Sequence, residues 1–340
     1  FPLIRHHFGL PSLEKTIKGI EEIAKSLSVD IISIGPDQIA QECFFNQDKV
    51  CNEFEGGGGV PLRKKEDLEA IYRSSRIGNF PLLRCYAGTN DLIKWGNLLK
   101  DTINNAWGAI PIFWYSELDG RSKRNLMDAI IENQRAIKWH AENRIPIEIN
   151  DSHQWALRNT TDPIEIASAY IATHNAKNLG VKYYIQQFMT NVPPDISHEM
   201  DIAKMLAKLE LISELSDDNF TILRMIRTGL ASLSVDEDIA KGELASSITI
   251  GMYLLPHIIH VVGYSEAYNV ATPKVVIESS KITKGVVKNC LKGLPAIGDN
   301  KKINKRKEEI KKDARLLLET INSLGDNIDP LTDPNTLYMA

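Results

Sequence analysis

The amino-acid sequence predicts an α/β protein that folds as a (β/α)₈ (TIM) barrel with a helical C-terminal extension. Three observations predict this class. Short apolar runs alternate with longer segments of helical period along the 340 residues, and eight such runs occur. No Gly-x-Gly-x-x-Gly turn follows an early strand, although dinucleotide-binding open sheets carry one there. A doubly wound open sheet is the main alternative.

The strands and helices can be assigned in order from these patterns. The eight strand candidates are Pro2–His7, Val29–Ile34, Pro81–Tyr86, Ala109–Tyr115, Pro146–Asn150, Lys182–Phe188, Thr221–Arg227 and Ile259–Gly263. The clearest helical segments between them are Leu13–Leu27, Leu92–Asn104, Ser122–Asn143 and Pro163–Asn178. Strands that alternate with helices imply right-handed βαβ units and therefore a parallel sheet.

Two segments interrupt the regular spacing. A long insertion, Gly35–Phe80, separates the second and third strands and contains the run Gly56–Gly59. After the last strand, the chain continues through a charged helix, Lys302–Asn322. We therefore expect a barrel-forming catalytic domain over residues 1–290 and a helical extension over residues 291–340 that packs outside the barrel.

Composition narrows the partners and the location. The 40 basic and 44 acidic residues give a net charge of −4, so no electrostatic footprint for nucleic acid is expected. The longest basic run, Lys301–Arg315, is broken by two glutamates and is typical of a solvated helix face. No stretch approaches the roughly 18 apolar residues that span a bilayer, so no membrane association is expected. The four cysteines match no zinc or redox spacing, which favours the cytoplasm.

Polar residues are unusually frequent where the predicted strands end, and barrel enzymes place their catalytic groups there. The residues at these positions are Arg5, His6, His7, Asp37, Gln38, Arg84, Tyr86, Thr89, Asn90, Trp114, Tyr115, Ser116, Glu148, Asn150, Asp151, His153, Gln186, Gln187, Arg224, Arg227, Tyr264, Ser265 and Glu266. Buried arginines and carboxylates are costly unless they are paired, so the set as a whole indicates a site.

From this set we select candidates with stated roles. The candidate catalytic residues are Asp151 and His153, and the candidate substrate-binding residues are Arg84, Tyr86, Asn150, Gln186, Arg224 and Arg227. The guanidinium fork binds a carboxylate or phosphate through two hydrogen bonds, which favours a small acid or amino acid as substrate. Asp151 or Glu148 is placed to hold an ammonium group. Two structural alternatives stay open: Arg84 or Arg224 pairs with a carboxylate inside the barrel, and Asp151 caps the next helix.

The glycine run has two interpretations. Gly57, Gly58 and Gly59 allow close backbone approach, so they could let a large flat cofactor reach the barrel mouth, or they could form a flexible loop end. A phosphate cradle is poorly supported, because no Lys-Ser/Thr pair follows. The histidines show no metal-ligand spacing, and no serine lies in a Gly-x-Ser-x-Gly elbow.

Several segments resemble a known family in their order and spacing. They are IGPDQIAQECFFNQDKV, GGGGVPLRKKEDLEAI, FPLLRCYAGTND, RIPIEIND, NLGVKYYIQQF and VGYSEAYNVATPK, and together they cover most of residues 1–290. This series resembles the large (epsilon) subunit of glutamate mutase, an adenosylcobalamin-dependent carbon-skeleton mutase built on a barrel. The resemblance implies that adenosylcobalamin docks on the barrel mouth and that Glu266 contacts its adenosyl ribose.

The substrate residues differ from those of that family. Its three substrate arginines align near Arg84, shifted by one place, at Asp151, and near Cys51. Its substrate-binding glutamate falls near Ala172, and a lysine beside the cofactor falls at Val262. These departures imply a substrate other than glutamate.

The cobalamin-binding signature Asp-x-His-x-x-Gly is absent from the sequence. The resemblance therefore implies that a separate, small Rossmann-like subunit, or a domain outside these residues, brings the cofactor, and a homodimer of this chain is left open. The leading hypothesis is the barrel component of an adenosylcobalamin-dependent mutase. The alternatives are a cobalamin-independent lyase or aldolase that uses Asp151, His153 and Arg227, and a non-catalytic binding protein. The sequence names neither substrate nor product.

Overall fold

A computed structural model describes residues 2–46 and 57–340 of the chain. Strands and helices alternate through most of this part, in the order β1 Leu3–Phe8, α1 Leu13–Lys25, β2 Ile31–Ile34, α2 Gln38–Cys43, α3 Lys65–Ser75, β3 Leu82–Cys85, α4 Leu92–Ile103, β4 Gly108–Ala109, α5 Leu126–Glu142, β5 Ile147–Glu148, α6 Asp151–Ala156, α7 Asp162–Asn178, β6 Tyr183–Thr190, α8 His198–Ser213, β7 Thr221–Thr228, α9 Glu237–Gly251, β8 Ile258–Val261, α10 Pro273–Cys290, α11 Asn300–Asn322 and α12 Pro334–Met339. Short 3₁₀ turns, Leu230–Ser232 and Met252–Leu254, flank α9.

All strand pairs are parallel, and the sheet closes nearly completely into a barrel. The order of the strands is β3-β2-β1-β8-β7-β6-β5-β4, so the first and last strands of the chain are neighbours. At the remaining seam the backbone N–H of Ala106 donates to the carbonyl of Leu83 at 2.9 Å. The predicted (β/α)₈ barrel is therefore confirmed, and the open doubly wound sheet is excluded.

The fourth strand is much shorter than predicted. The apolar run Ala109–Tyr115 was expected to be strand throughout, but β4 ends at Ala109. Pro111 has no N–H to donate to a neighbouring strand. The N–H of Ile112 donates instead to the carboxylate of Asp151, at 2.6 Å. The apolar run is therefore a buried loop at the mouth, held by the start of α6.

The floor of the barrel interior is apolar. One buried cluster fills it, made of Ile31, Trp107, Ile185, Met225 and Ile258 with Leu3 packed against it. Successive side chains of a strand point to opposite faces, so the residue two positions beyond each floor residue also points inward, nearer the mouth. This register decides which polar residues enter the barrel.

The C-terminal extension packs on the outside of the barrel, against α7 and α8. Ile310, Ala314 and Leu318 of α11 are buried in the apolar cluster beneath it. Lys307 and Lys311 of α11 both bind Glu210 of α8, at 2.6 and 2.7 Å. Part of the positive charge of α11 therefore forms ion pairs with α8 and is only partly solvated. None of the described helices is both long and apolar enough to cross a membrane.

Candidate active site

Two arginines and a glutamate form a closed cluster just above the floor. Arg5 lies two residues after Leu3 on β1, and Arg84 lies two residues after Leu82 on β3, so both point inward. Oε2 of Glu148 on β5 accepts hydrogen bonds from Arg5 Nη1 at 3.2 Å and Arg84 Nη2 at 2.9 Å. All three residues are buried. A buried carboxylate between two guanidinium groups is stable only with such bonds.

Neighbouring groups complete this closed cluster. The indole N–H of Trp107 donates to Glu148 Oε2 at 2.8 Å, and Arg84 Nη1 donates to Ser33 Oγ at 2.9 Å. Burial alone would raise the pKa of Glu148, but the charges of Arg5 and Arg84 lower it to about 2. Burial lowers the pKa of Arg5 to about 9, which leaves it charged at neutral pH. The cluster therefore carries a net positive charge.

His7 and Tyr86 lie one layer closer to the mouth and are partly exposed. The Tyr86 hydroxyl lies 2.5 Å from His7 Nε2, and Arg5 Nη2 lies 3.4 Å from the same nitrogen. A guanidinium group can only donate, so Nε2 of His7 accepts and Nδ1 carries the proton. Burial and the adjacent arginines hold the pKa of His7 well below its usual value. Its Nδ1–H has no hydrogen-bond partner.

His260 on β8 contacts His7 edge to face, with ring centroids 4.3 Å apart. Nδ1 of His260 lies 2.9 Å from Oε1 of Gln187, which accepts, so Nδ1 carries the proton. Nε2 of His260 is therefore an acceptor, and it is buried without a partner. Burial and nearby cations hold the pKa of His260 well below its usual value, so the ring is neutral.

Asn150 and His153 lie where β5 passes into α6, and both are buried. Both polar atoms of the Asn150 side chain lack a partner, as does Nδ1 of His153. Nε2 of His153 faces the amide nitrogen of Gln154 at 3.4 Å, so Nε2 accepts and Nδ1 carries the proton. Burial, and after it the charge of Arg227, holds the pKa of His153 well below its usual value.

Arg227 on β7 follows Met225 by two residues and pairs in register with His260, so it also points inward. The residue is partly exposed, and its Nε is buried without a partner. Within residues 2–46 and 57–340, no carboxylate forms an ion pair with it. Native proteins rarely leave buried polar atoms unpaired, and a group of them indicates a missing ligand or water. We call Asn150, His153, His260, His7 and Arg227 the open layer.

Two candidate substrate residues do not point into the barrel interior. Gln186 precedes the inward-pointing Gln187, and its amide is bonded to Ser152 Oγ at 3.0 Å and to the Tyr184 hydroxyl at 3.0 Å. Arg224 bonds the carbonyl of Leu255, before β8, at 3.1 and 2.9 Å, near the protein surface. Both lie one strand position out of phase with the inward residues.

Asp151 is buried, and its carboxylate is bonded to the loop after β4. Its two oxygens accept the backbone N–H groups of Ile112 at 2.6 Å and Phe113 at 2.9 Å. Burial raises the pKa of Asp151 to about 6, although these bonds oppose the shift. Asp151 therefore fixes the loop after β4. Its oxygens are bonded there, which does not fit the expected role of holding an ammonium group.

Glu266 lies in the turn after β8, beside the mouth. Its Oε1 accepts the N–H of Gly263 at 2.6 Å and lies 3.4 Å from Nε2 of His6. The side chain is 22% exposed, so the carboxylate can still accept a hydrogen bond from a hydroxyl group of solvent or of a ligand. Val262 is buried in an apolar cluster, and Ala172 is buried within α7.

The glycines divide into two kinds. A Cβ on Gly59 would lie 2.2 Å from the carbonyl oxygen of Gly35, so Gly59 permits the close contact that ties the insertion to the end of β2. Gly57 and Gly58 are exposed, and Gly58 has a φ of +77° with open space around it. Both line a cleft of about 550 Å³ that Tyr115 also lines. Gly56 and Cys51 lie outside the described residues.

Sequence reasoning left three residues in or beside the open layer out of the chosen candidates: His7, Gln187 and His260. The first two were among the polar strand-end residues, and His260 was overlooked because only residues after strand eight were considered. The apolar floor supplies the signal that was needed. Counting in steps of two from Leu3 or Ile258 reaches His7 and His260.

No protein-family model matches the chain, and no curated protein matches it significantly. Among the described residues, no three histidine, cysteine, aspartate or glutamate side chains are grouped closely enough to hold a metal ion.

Proposed function

We propose that this chain is the barrel component of an adenosylcobalamin-dependent mutase that isomerises a small carboxylic or amino acid other than glutamate. One observation carries the proposal. Three guanidinium groups, on Arg5, Arg84 and Arg227, point into the barrel, and the inward carboxylate of Glu148 pairs with only the first two. Arg227 lies in the open layer with buried polar atoms that have no partners. An anionic substrate would supply the missing charge and the missing hydrogen bonds.

The chain's own residues would bind the substrate and shield it. Arg227 would bind the carboxylate, and the unpaired N–H groups of His7 and His153 would donate to it or to a neighbouring oxygen. The closed cluster and the apolar floor seal the other end of the barrel, which excludes water from that side. Adenosylcobalamin, when bound, supplies the carbon radical that removes a hydrogen atom from the substrate.

The mouth fits such a cofactor in two respects. Glu266 presents a partly exposed carboxylate that can accept hydrogen bonds from ribose hydroxyl groups. Gly57 and Gly58 offer exposed backbone with no side chain in the way of a flat ring. Asp-x-His-x-x-Gly does not occur in the given sequence, so a small Rossmann-like partner subunit, or a domain outside these residues, would bring the cofactor and supply that histidine.

The test is cofactor binding by the full chain with a small protein from the same source that carries Asp-x-His-x-x-Gly. We expect the absorbance spectrum of adenosylcobalamin to change only when both proteins are present. Glu266→Gln should weaken binding by about tenfold, since a hydrogen bond to a charged group is lost. Glu142→Gln, on an exposed position, should leave it unchanged. No spectral change with any such partner would overturn the proposal.

A second candidate, a cobalamin-independent lyase or aldolase, is favoured by one observation. The rings of His153 and His260 are held neutral, and Nε2 of His260 is a free acceptor that could take a proton. Turnover of an aldol-type substrate without cobalamin, abolished in His260→Gln, would support this candidate against the mutase. Anion binding with neither cobalamin binding nor turnover would indicate a non-catalytic binding protein.

A further inference from the structure

The three inward arginines are not equivalent. Arg5 and Arg84 each donate to Glu148, and Arg84 also donates to Ser33. Glu148 thus occupies, within the protein, the position of a carboxylate ligand between two guanidinium groups. A second carboxylate brought by a substrate would meet the charge of Glu148 and would compete with bonds that are already made.

Arg227, in contrast, has no carboxylate partner among the described residues. Its charge nevertheless reaches the closed cluster and the surrounding imidazoles, lowering the pKa values of Arg5, His7 and His153 after burial itself. It is partly exposed, so a ligand entering at the mouth can reach it. Arg227 is therefore the guanidinium group left for an anion from outside.

The unpaired atoms of the open layer define what else the ligand carries. The unpaired donors are Nδ1–H of His7 and His153 and the amide nitrogen of Asn150. The unpaired acceptors are Oδ1 of Asn150 and Nε2 of His260. An uncharged group that both donates and accepts, such as a hydroxyl, satisfies such a set.

We infer that the substrate is a small monocarboxylic acid bearing an uncharged hydrogen-bonding group, and that Arg227 alone binds its carboxylate. Arg5 and Arg84 do not bind the ligand, since Glu148 pairs with both guanidinium groups and orients them. The inference rests on the proposed function only in taking the open layer as the substrate site. It excludes dicarboxylic acids as preferred substrates.

The experiment uses the full chain and three four-carbon probes: 2-hydroxybutyrate, butyrate and succinate, titrated by calorimetry at pH 7. We expect 2-hydroxybutyrate to bind tightest, and succinate to bind about tenfold more weakly or worse. Arg227→Gln should weaken 2-hydroxybutyrate by about ten- to a hundredfold. Arg224→Gln, three residues away on the same strand and bonded at the surface, should leave it unchanged.

Three outcomes overturn the inference: butyrate or succinate binds as tightly as 2-hydroxybutyrate, Arg227→Gln binds like the unchanged protein, or none of the probes binds. If Arg227→Gln does not fold, Arg227→Lys keeps the charge and loses the fork, and we expect about a tenfold loss. These titrations need no cobalamin. If no probe binds but the adenosylcobalamin spectrum changes with the partner, only the inference about the substrate is rejected. If the probes bind as expected but the spectrum does not change, only the mutase proposal is rejected.

Discussion

Glu148 and Asn150 lie two residues apart on one strand and its extension, and both point into the barrel, but their surroundings differ. Glu148 Oε2 accepts bonds from Arg5, Arg84 and Trp107, whereas neither polar atom of Asn150 has a partner. The closed cluster and the open layer are therefore adjacent, and both are polar. The difference teaches that buried polar residues locate a site only when their hydrogen bonds are accounted for atom by atom.

The largest effect is expected from breaking the closed cluster. Glu148→Gln keeps the shape and removes the charge, leaving two buried guanidinium groups without a counterion. We expect the free energy of unfolding to fall by about 3–5 kcal/mol, measured by chemical denaturation at pH 7. The exposed Glu142→Gln should change it by less than about 0.5 kcal/mol. A loss under about 1 kcal/mol for Glu148→Gln would show that the cluster is not closed.

Asp151 sharpens the comparison through pH, because its carboxylate is buried and satisfied by backbone N–H groups alone. Its pKa in the folded protein is raised to about 6, so its contribution to stability is fully present below its unfolded pKa of about 3.9 and is lost as the pH rises through 6. Between pH 4.5 and 7, Glu148 stays ionised, since its pKa is lowered to about 2.

The expected result is a pH-dependent loss that belongs to Asp151. From pH 4.5 to 7, the unfolding free energy of the unchanged protein should fall by roughly 2 kcal/mol relative to that of Asp151→Asn. Denaturation curves across this range measure the difference. The exposed Asp101→Asn should keep the slope of the unchanged protein. Parallel curves for the unchanged protein and Asp151→Asn would contradict the raised pKa.

Much of the fold follows from local sequence. The apolar residues of β6 and β7 are buried on both faces of the sheet, against the helices outside and in the floor inside. The predicted positions of these two strands agree with the structure. The fourth strand was predicted too long. Pro111 within the run is a local signal against a strand, whereas the bond of Ile112 to Asp151, 39 positions away in sequence, is not visible there. An interaction that distant leaves no trace in the periodicity of the run.

The site was only partly predictable for a related reason. Arg84, Tyr86, Asn150, His153 and Arg227 do enter the barrel interior, since the ends of all strands meet there. Gln186 and Arg224 do not, because the inward phase of a strand is set by which residues fill the floor. Asn150 and Gln186 look alike in sequence, and the structure separates them by strand phase and by the pairing of their amide atoms.

That pair supplies the third prediction. Asn150→Leu removes two unpaired buried atoms, so we expect the free energy of unfolding to rise by about 1 kcal/mol. Gln186→Leu removes the partner of Tyr184 and Ser152, so we expect it to fall by about 1–3 kcal/mol. Denaturation of the two variants side by side measures both. Equal losses would place Asn150 in the closed part of the interior.

The smallest effect is expected where the two layers meet, at the hydrogen bond between Tyr86 and His7. Tyr86→Phe removes the hydroxyl group 2.5 Å from Nε2 of His7 and keeps the ring stacked on it, with centroids 4.7 Å apart in the unchanged protein. Both residues are partly exposed, so water can replace the hydroxyl, and we expect a loss of about 0.5–1 kcal/mol. Calorimetric unfolding measures it. A loss as large as that of Glu148→Gln would show that the closed cluster includes His7 and that its ring cannot turn toward a ligand. A loss within the expected range agrees with a place for His7 in the open layer, with Asn150 and Arg227.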